Sequence, residues 1–316
     1  MGEFELIAEY FTRPVRRAAL GVGDDCALFA PGPGQQLAVS SDMLVEGRHF
    51  LSTVAPERLG HKALAVNLSD LAACGAQPLG FTLALALPRA ERSFLAPFAQ
   101  GLFALAGQHG IELIGGDTTA GPLNICITAF GEVPAGQALL RSGARVGDRL
   151  WVSGALGDAR LALEVFRGTL TLPGADFDAV REAMERPLPR VALGVALRGL
   201  ASSAVDLSDG LLGDLGHVLR ASGAGATLDC DAIPRSAVLA RQTPAWQQTC
   251  VLAGGDDYEL LFTAPAARDA DVRAAGARAG VAVTPIGRIE AETGLRVHDA
   301  AGRAVAIASR GFDHFA

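Results

Sequence analysis

Residues 111–119 read Ile-Glu-Leu-Ile-Gly-Gly-Asp-Thr-Thr, an apolar run that passes directly into two glycines, a carboxylate and two hydroxyls. The run predicts a strand over residues 111–114 that delivers Gly115-Gly116-Asp117. Glycines let a backbone approach phosphate closely, and the aspartate adds a hard oxygen ligand. Open α/β sheets usually bind ligands at such strand ends, so this stretch indicates an α/β fold with a phosphate and metal site.

The flanking chain continues the alternation of strands and helices. Apolar runs predict strands at residues 37–39, 81–87 and 124–133, and helical spacing predicts helices at 59–76 and 94–109. The first of these strands would end at Ser40-Ser41-Asp42. Asp70 would lie on the less apolar face of the first helix. The first half therefore reads as a mixed α/β (α+β) domain with several carboxylates near its strand ends.

Proline and glycine cluster at residues 134–148, which predicts two domains, 1–138 and 139–316. In the second domain we expect strands at 149–153, 204–206, 258–263, 281–289 and 295–297. We expect helices at 158–166, 191–200, 208–220 and 266–279. Ser208 would cap the third of these helices, with Asp209 and Asp214 following it. Free amides at that helix start would favour an anion or a carboxylate-held metal.

Composition excludes several classes of function. The 316 residues carry a net charge of -7 with no dense basic stripe, so duplex nucleic acid is not an expected partner. No apolar run reaches the roughly 20 residues of a membrane span. No secretory signal opens the chain. The five cysteines form no CxxC pair, which indicates reduced thiols in the cytoplasm.

Five short acidic motifs stand in apolar, glycine-rich or serine-rich surroundings. Each alone is compatible with a turn, a helix cap or a solvated helix face. If several converge they need a neutralising cation, since two carboxylates at ~4 Å repel by about 4 kcal/mol at an effective dielectric of 20. Magnesium bound with a nucleotide triphosphate would supply this cation. The nucleotide would not be held by a P-loop, because the only lysine, Lys62, cannot complete that motif. The motifs are Gly23-Asp24-Asp25, Ser40-Ser41-Asp42, Asn67-Leu68-Ser69-Asp70, Gly115-Gly116-Asp117-Thr118-Thr119 and Asp206-Leu207-Ser208-Asp209-Gly210.

Read in order, these motifs resemble the thiamine-monophosphate kinases. The resemblance runs from residue 3 to the C-terminus and is strengthened by three further stretches. They are Ser41-Asp42-Met43-Leu44-Val45-Glu46-Gly47-Arg48-His49-Phe50, Gly254-Gly255-Asp256-Asp257-Tyr258-Glu259-Leu260 and Gly311-Phe312-Asp313-His314-Phe315. The resemblance implies a two-domain aminoimidazole-ribotide synthetase-like fold, in which N-terminal domains pair through a β-barrel in a homodimer and each chain adds a C-terminal α/β domain.

The same resemblance implies that ATP phosphorylates thiamine monophosphate to thiamine diphosphate. It implies several Mg²⁺ ions held by Asp25, Ser40, Ser41, Asp42, Asp70, Asp117, Asp206 and Asp209. It implies ATP contacts from Gly116, Asp117, Arg141 and Ser208. It implies a thiamine phosphate site lined by His49, Asp256 and Phe312. Asp42, Asp70 and Asp117 would be essential without any residue acting as nucleophile or base.

One departure from the family pattern concerns Asp256, where the family usually has a glutamate. The carboxylate is one methylene shorter, so its reach toward a thiamine ring changes. Three rival functions remain at this stage: another ATP-using enzyme of the superfamily, a non-catalytic magnesium-nucleotide binding module, and a metal-dependent phosphohydrolase. Products formed from ATP and thiamine monophosphate would distinguish them.

Overall fold

The structure is a computed structural model that describes residues 2–305. It divides into two compact units. The first comprises the residues up to Leu71 together with Ala76–Gly136, and the second comprises Ala72–Gly75 together with the residues from Gln137 onward. The break after Gly136 falls in the segment rich in proline and glycine.

The first unit is a four-stranded sheet with two long helices. Its strands are β1 (Gln35–Val45), β2 (Gln77–Leu87), β3 (Glu112–Ala120) and β4 (Asn124–Pro134). Its helices are α1 (Glu3–Leu6), a following π-helical turn (Ile7–Phe11), α2 (Pro56–Ala73) and α3 (Arg92–His109). The strand order is β1-β4-β2-β3, with β2 and β3 parallel and the other pairs antiparallel.

Two glycines allow α2 and α3 to cross closely. A Cβ on Gly60 would lie 2.0 Å from the carbonyl oxygen of Phe98, and one on Gly101 would lie 1.8 Å from that of Glu57. No side chain fits at either position, so the two backbones are in direct contact. Fully buried apolar side chains, including Leu64, pack around the crossing. This packing holds α2, the helix that carries Asp70, in place.

The second unit is a six-stranded sheet of order β10-β7-β9-β5-β8-β6. Its strands are β5 (Asp148–Ser153), β6 (Ser203–Asp206), β7 (Gly225–Asp229), β8 (Leu260–Pro265), β9 (Val283–Glu290) and β10 (Gly294–His298). Its helices are α4 (Asp158–Phe166), α5 (Gly174–Glu185), α6 (Val191–Ala196), α7 (Leu211–Ser222), α8 (Ala237–Ala240), α9 (Pro244–Ala253) and α10 (Asp269–Ala279), with a 3₁₀ turn (Ala266–Arg268) before the last. Buried side chains from the sheet and from α4, α7 and α9 form one core.

Most sequence-predicted elements are present, but two predictions about the acidic motifs are wrong. Ser40-Ser41-Asp42 does not follow a strand; it lies inside β1, which pairs with β4 over its whole length. Gly115-Gly116-Asp117 likewise lies inside β3. Polar residues interrupt the apolar patterns here, yet the backbone stays extended because neighbouring strands satisfy its hydrogen bonds.

Candidate functional site

Two carboxylates and a hydroxyl meet where β1 faces α2. Ser40 and Asp42 alternate along β1 and lie opposite Ala129 and Ile127 of β4, which are both buried. They therefore belong to the covered face of the sheet. Asp70, near the end of α2, accepts a short hydrogen bond from the Ser40 hydroxyl. The structure thus brings three of the predicted metal ligands together.

The electrostatics of this group are unfavourable without a cation. Burial, and secondarily the neighbouring Asp70 carboxylate, raise the pKa of Asp42 from its ordinary value to about 7. Desolvation and a like charge both favour the protonated acid. Carboxylate and hydroxyl oxygens are the hard ligands that Mg²⁺ prefers, and a bound divalent ion would remove the repulsion. The residues therefore fit the metal that the family resemblance implies.

Two further predicted residues, Ser41 of β1 and Asp117 of β3, lie on the other face of the sheet. Ser41 is exposed and hydrogen-bonds the Thr128 hydroxyl at 2.9 Å. Asp117 is exposed and lies opposite Ala84, which is also exposed. Ser41 and Asp117 therefore do not join Asp42 and Asp70 on the covered face.

Gly116 shares a cross-strand row with Asp42. The row runs through Asp42, Ile127, Leu83 and Gly116. Three strand spacings separate its ends, about 14 Å in all. Gly116 and Asp42 are therefore too far apart to contact one ion together. Gly116 has φ +148°, and a Cβ there would lie 1.9 Å from the carbonyl oxygen of Leu83, so only glycine fits.

His49 is held in one tautomer by the turn that follows β1. Its Nδ1 accepts the backbone N–H of Val45 at 3.0 Å, and its carbonyl oxygen accepts a hydrogen bond from Lys62 Nζ at 3.2 Å. Because Nδ1 is an acceptor, a neutral His49 carries its proton on Nε2.

In the second unit, Asp206 is the last residue of β6 and the loop after it carries Ser208 and Asp209, but the prediction that Ser208 caps the next helix is wrong. Helix α7 begins at Leu211 with Gly210 as its N-cap. Asp214 Oδ2 accepts the backbone N–H groups of Ser208, Asp209 and Gly210, each at 3.1 Å. The amides predicted to be free for an anion are therefore occupied by a carboxylate of the same chain.

The loop that carries Asp256 is tied to this loop by backbone hydrogen bonds. The Asp256 N–H donates to the Ser208 carbonyl at 2.9 Å, and the Tyr258 N–H donates to the Leu207 carbonyl at 2.8 Å. Asp256 (φ +65°) and Tyr258 (φ +50°) are the only non-glycine residues with positive φ within residues 2–305. Such backbones persist only where the surroundings enforce them, and they concentrate at functional sites.

Three side chains hold Asp256 and its loop, and sequence reasoning gave none of them a role. The Tyr258 hydroxyl donates to Asp256 Oδ1 at 3.0 Å. The Glu259 carboxylate accepts a hydrogen bond from Arg190 Nε at 2.7 Å and a second, short one from the Ser153 hydroxyl. Asp257 is half-buried and accepts the Gly157 N–H at 2.8 Å, and desolvation raises its pKa well above the ordinary value. The signal lay in the Asp-Asp-Tyr-Glu run, where charged residues directly precede the apolar strand β8.

Arg141 is exposed in the segment before β5, and its surroundings include a histidine that sequence reasoning missed. His217 Nδ1 lies 2.9 Å from the Arg220 guanidinium. Burial lowers the pKa of His217, the positive charges of Arg220 and Arg141 lower it further, and the negative charge of Asp209 opposes them. These charges thus act on one another across the exposed side of α7, so Arg141 lies within electrostatic reach of the Asp209 loop.

The predicted metal ligands do not all converge in the part of the chain that the structure describes. Asp25 is exposed in the segment before β1, where its N–H donates to Asp24 Oδ1 at 2.8 Å. Within residues 2–305, no three His, Cys, Asp or Glu side chains are close enough to hold one ion together. Phe312 lies outside the described residues. Over the same range, no helix has both the length and the apolar character needed to cross a membrane.

Family models and relatives match almost the whole chain. The model described as "AIR synthase related protein, N-terminal domain" matches residues 23–133, and its C-terminal counterpart matches residues 145–300. Thiamine-monophosphate kinase of Salmonella typhimurium is 46% identical, with 100% of this chain and 98% of the relative covered.

Solved structures agree with the sequence relatives. Thiamine-monophosphate kinase from Stenotrophomonas maltophilia K279a superposes with a TM-score of 0.85 at 44% identity, covering 96% of this chain and 95% of the other. AaThiL complexed with AMPPCP and TMP superposes with a TM-score of 0.79 at 30% identity, covering 90% and 89%.

Proposed function

This chain belongs to the thiamine-monophosphate kinase family, and we infer that it transfers the γ-phosphoryl group of ATP to thiamine monophosphate, giving thiamine diphosphate and ADP. The observation that carries this inference is the full-length similarity at 46% identity to a kinase of that name. The paired carboxylates Asp42 and Asp70 add chemical support, because phosphoryl transfer requires neutralised anions.

A direct in-line attack by a phosphate oxygen of thiamine monophosphate fits the residues available. That phosphate is already deprotonated near neutral pH, so no general base is needed. The protein's task is then to orient two anions and to limit their repulsion. Mg²⁺ bound at the carboxylates would offset the negative charge on the transferred group and on its acceptor.

The charged residues divide into three proposed roles. Asp42, Asp70 and Ser40 would hold magnesium as a preformed group. Asp25, Ser41, Asp117, Asp206 and Asp209 are further proposed metal ligands. Asp117 would also contact ATP, together with Gly116, Arg141 and Ser208. The exposed Arg141 guanidinium is suited to phosphate oxygens, because its planar fork can donate two parallel hydrogen bonds.

Thiamine monophosphate would contact His49, Asp256 and Phe312. The turn after β1 orients the His49 ring through Nδ1, and the Tyr258 hydroxyl holds the Asp256 carboxylate at 3.0 Å. The glutamate usual at this position would carry its carboxylate one methylene further. We propose that the left-handed backbone at Asp256 and the tyrosine together direct the shorter side chain.

We propose that two copies pair through the uncovered face of the first unit's sheet. Leu37, Val39 and Met43 alternate along the edge strand β1, and their side chains are 42%, 57% and 54% exposed. An apolar row of this kind on an edge strand is typical of an interface. A second copy would bury it. Sedimentation of the purified protein as a monomer would contradict the pairing.

We propose a cytoplasmic location. All five cysteines are free, and Cys230 and Cys250 are buried within the core of the second unit. Thiols persist in a reducing compartment, which is also where ATP is available as phosphoryl donor.

The test is incubation of the purified protein with ATP, MgCl₂ and thiamine monophosphate, followed by separation of the products. We expect thiamine diphosphate and ADP in equal amounts. Release of thiamine and inorganic phosphate without ATP would indicate a phosphohydrolase. Bound ATP with no thiamine diphosphate would indicate a binding module.

A further inference from the structure

Asp214 lies on the first turns of α7 and is 4% exposed. One of its oxygens, Oδ2, accepts three consecutive backbone N–H groups at the same distance, 3.1 Å. The donors are Ser208, Asp209 and Gly210, which are the residues that immediately precede the helix. The Asp214 N–H in turn donates to the Gly210 carbonyl at 3.0 Å, which closes the loop on itself.

Three amides arranged around one oxygen form the concavity that binds phosphate in many nucleotide enzymes. Here a carboxylate of the same chain already fills it. Three carboxylates lie along this stretch, Asp206 at the end of β6, Asp209 in the loop and Asp214 in the first turn of α7, with no basic residue among residues 203–216. The loop therefore carries negative charge, and its three amides are not available to an anion.

We propose that Asp214 is a positioning residue that converts this loop from an anion-binding nest into a cation-holding loop. By satisfying the amides from inside, it fixes the backbone of Asp209 and leaves the Asp209 and Ser208 side chains to face the ligand. Phosphate recognition in the second unit then falls to Arg141. This inference rests on the proposed magnesium-dependent function, and it adds Asp214 to the residues that serve it.

Two variants and one control test the proposal. Asp214→Ala removes the acceptor, whereas Asp214→Asn keeps one oxygen that can accept the amides without the charge. Leu215→Ala removes a fully buried side chain from the same helix and creates a cavity without touching the loop amides. Leu215→Ala therefore shows the effect of a general loss of stability that leaves the loop amides bonded to Asp214.

The first readout needs no metal. In the metal-free protein we expect the amides of residues 208–210 to exchange faster in Asp214→Ala than in the wild type, with Asp214→Asn between them and Leu215→Ala showing no selective change. The second readout is the magnesium concentration for half-maximal thiamine diphosphate formation. It should rise about 10- to 100-fold in Asp214→Ala, the range found when partners that orient metal ligands are removed, while the KM for thiamine monophosphate changes little.

Unchanged exchange at residues 208–210 in Asp214→Ala would overturn the proposal. So would a magnesium requirement that stays at the wild-type value while the melting temperature falls as it does in Leu215→Ala. If Asp214→Ala does not fold, Asp214→Asn gives the same comparison. If the wild type forms no thiamine diphosphate, the proposed function fails, and the exchange experiment still decides whether Asp214 orders the loop.

Discussion

Replacing Asp70 by asparagine should stabilise the metal-free first unit and destabilise it relative to wild type once magnesium is present. Without metal, Asp42 and Asp70 repel each other above the raised pKa of Asp42, which is about 7. The whole rise of that pKa from its ordinary value corresponds to about 4 kcal/mol, and burial is its largest cause, so repulsion by Asp70 accounts for at most about 2 kcal/mol. The Ser40 hydroxyl would then donate to a neutral acceptor, which weakens that hydrogen bond by about 1 to 2 kcal/mol. The expected net gain, measured above pH 7, is at most about 1 kcal/mol.

Magnesium should reverse this order. A ligand present at 100 times its dissociation constant stabilises the native state by about 2.7 kcal/mol, and Asp70→Asn should lose most of that gain together with the activity. Both tryptophans, Trp151 and Trp246, belong to the second unit, so their fluorescence does not report on this change. The change is measured instead by hydrogen exchange of peptides from β1 and α2, in EDTA and in saturating MgCl₂.

The reasoning is refuted if Asp70→Asn is less stable than wild type in EDTA, because the relief of repulsion would then be smaller than the cost of the weakened hydrogen bond. It is also refuted if the variant keeps the protection conferred by magnesium. Ser40→Ala is the matched control, since it removes the hydrogen bond to Asp70 and retains both charges. It should lose stability in both solutions.

Three further predictions concern single positions. Asp257→Asn should flatten the pH dependence of the second unit's stability. In the wild type, burial raises the pKa of Asp257, so its contribution to the free energy of unfolding is greatest below the unfolded-state pKa near 4. That contribution falls by up to about 1.4 kcal/mol per pH unit as the pH rises toward the folded-state pKa. Gly116→Ala should destabilise the first unit by about 2 to 4 kcal/mol, because its Cβ would lie 1.9 Å from the Leu83 carbonyl oxygen. Tyr258→Phe should raise the KM for thiamine monophosphate about 2- to 10-fold with little change in kcat, since it releases the Asp256 carboxylate.

Each of these has its own measurement and contrary outcome. Urea unfolding followed by tryptophan fluorescence at several pH values tests Asp257→Asn, and a slope equal to that of wild type would contradict it. Gly107→Ala is the control for Gly116→Ala: nothing lies within 4 Å of its Cβ, and helix propensity predicts neutral or slightly higher stability. Equal effects at the two glycines would refute the steric argument. Steady-state kinetics test Tyr258→Phe, and a fall in kcat alone would contradict a role in substrate binding.

Much of the fold was predictable because local signals agreed with the tertiary structure. Helix 94–109 was predicted to end at Gly110, and α3 does end there, with Gly110 at φ +62°. Helix 158–166 coincides with α4. In both, hydrophobic spacing and a flanking glycine suffice.

The acidic motifs were harder to place because their conformation depends on distant partners. The polar sequence Ser40-Ser41-Asp42 alone predicts a loop, but these residues are extended because they pair with β4. The helix after β6 was predicted to begin at Ser208, but Asp214 satisfies the amides from within the helix, and no spacing rule indicates that contact. Helix α5 and strand β7 were not predicted at all, since their apolar positions are few and their burial depends on the rest of the unit.

The structure brings some of the predicted site residues together and separates others. Asp42 and Asp70 came from separate motifs, and the structure places them together with Ser40. Asp117 was grouped with them, but cross-strand register assigns it to the opposite face of the sheet. A side chain's face depends on register across four strands, and the sequence of one strand does not contain that information.

The most direct test of the central claim is the fate of a labelled, stereochemically defined γ-phosphoryl group of ATP when the protein acts on thiamine monophosphate in the presence of MgCl₂. Direct in-line transfer predicts that the label appears in thiamine diphosphate with inverted configuration at phosphorus. It also predicts no label on the protein and no transfer by Asp42→Asn. Retention of configuration, label in inorganic phosphate, or full transfer by that variant would contradict the account.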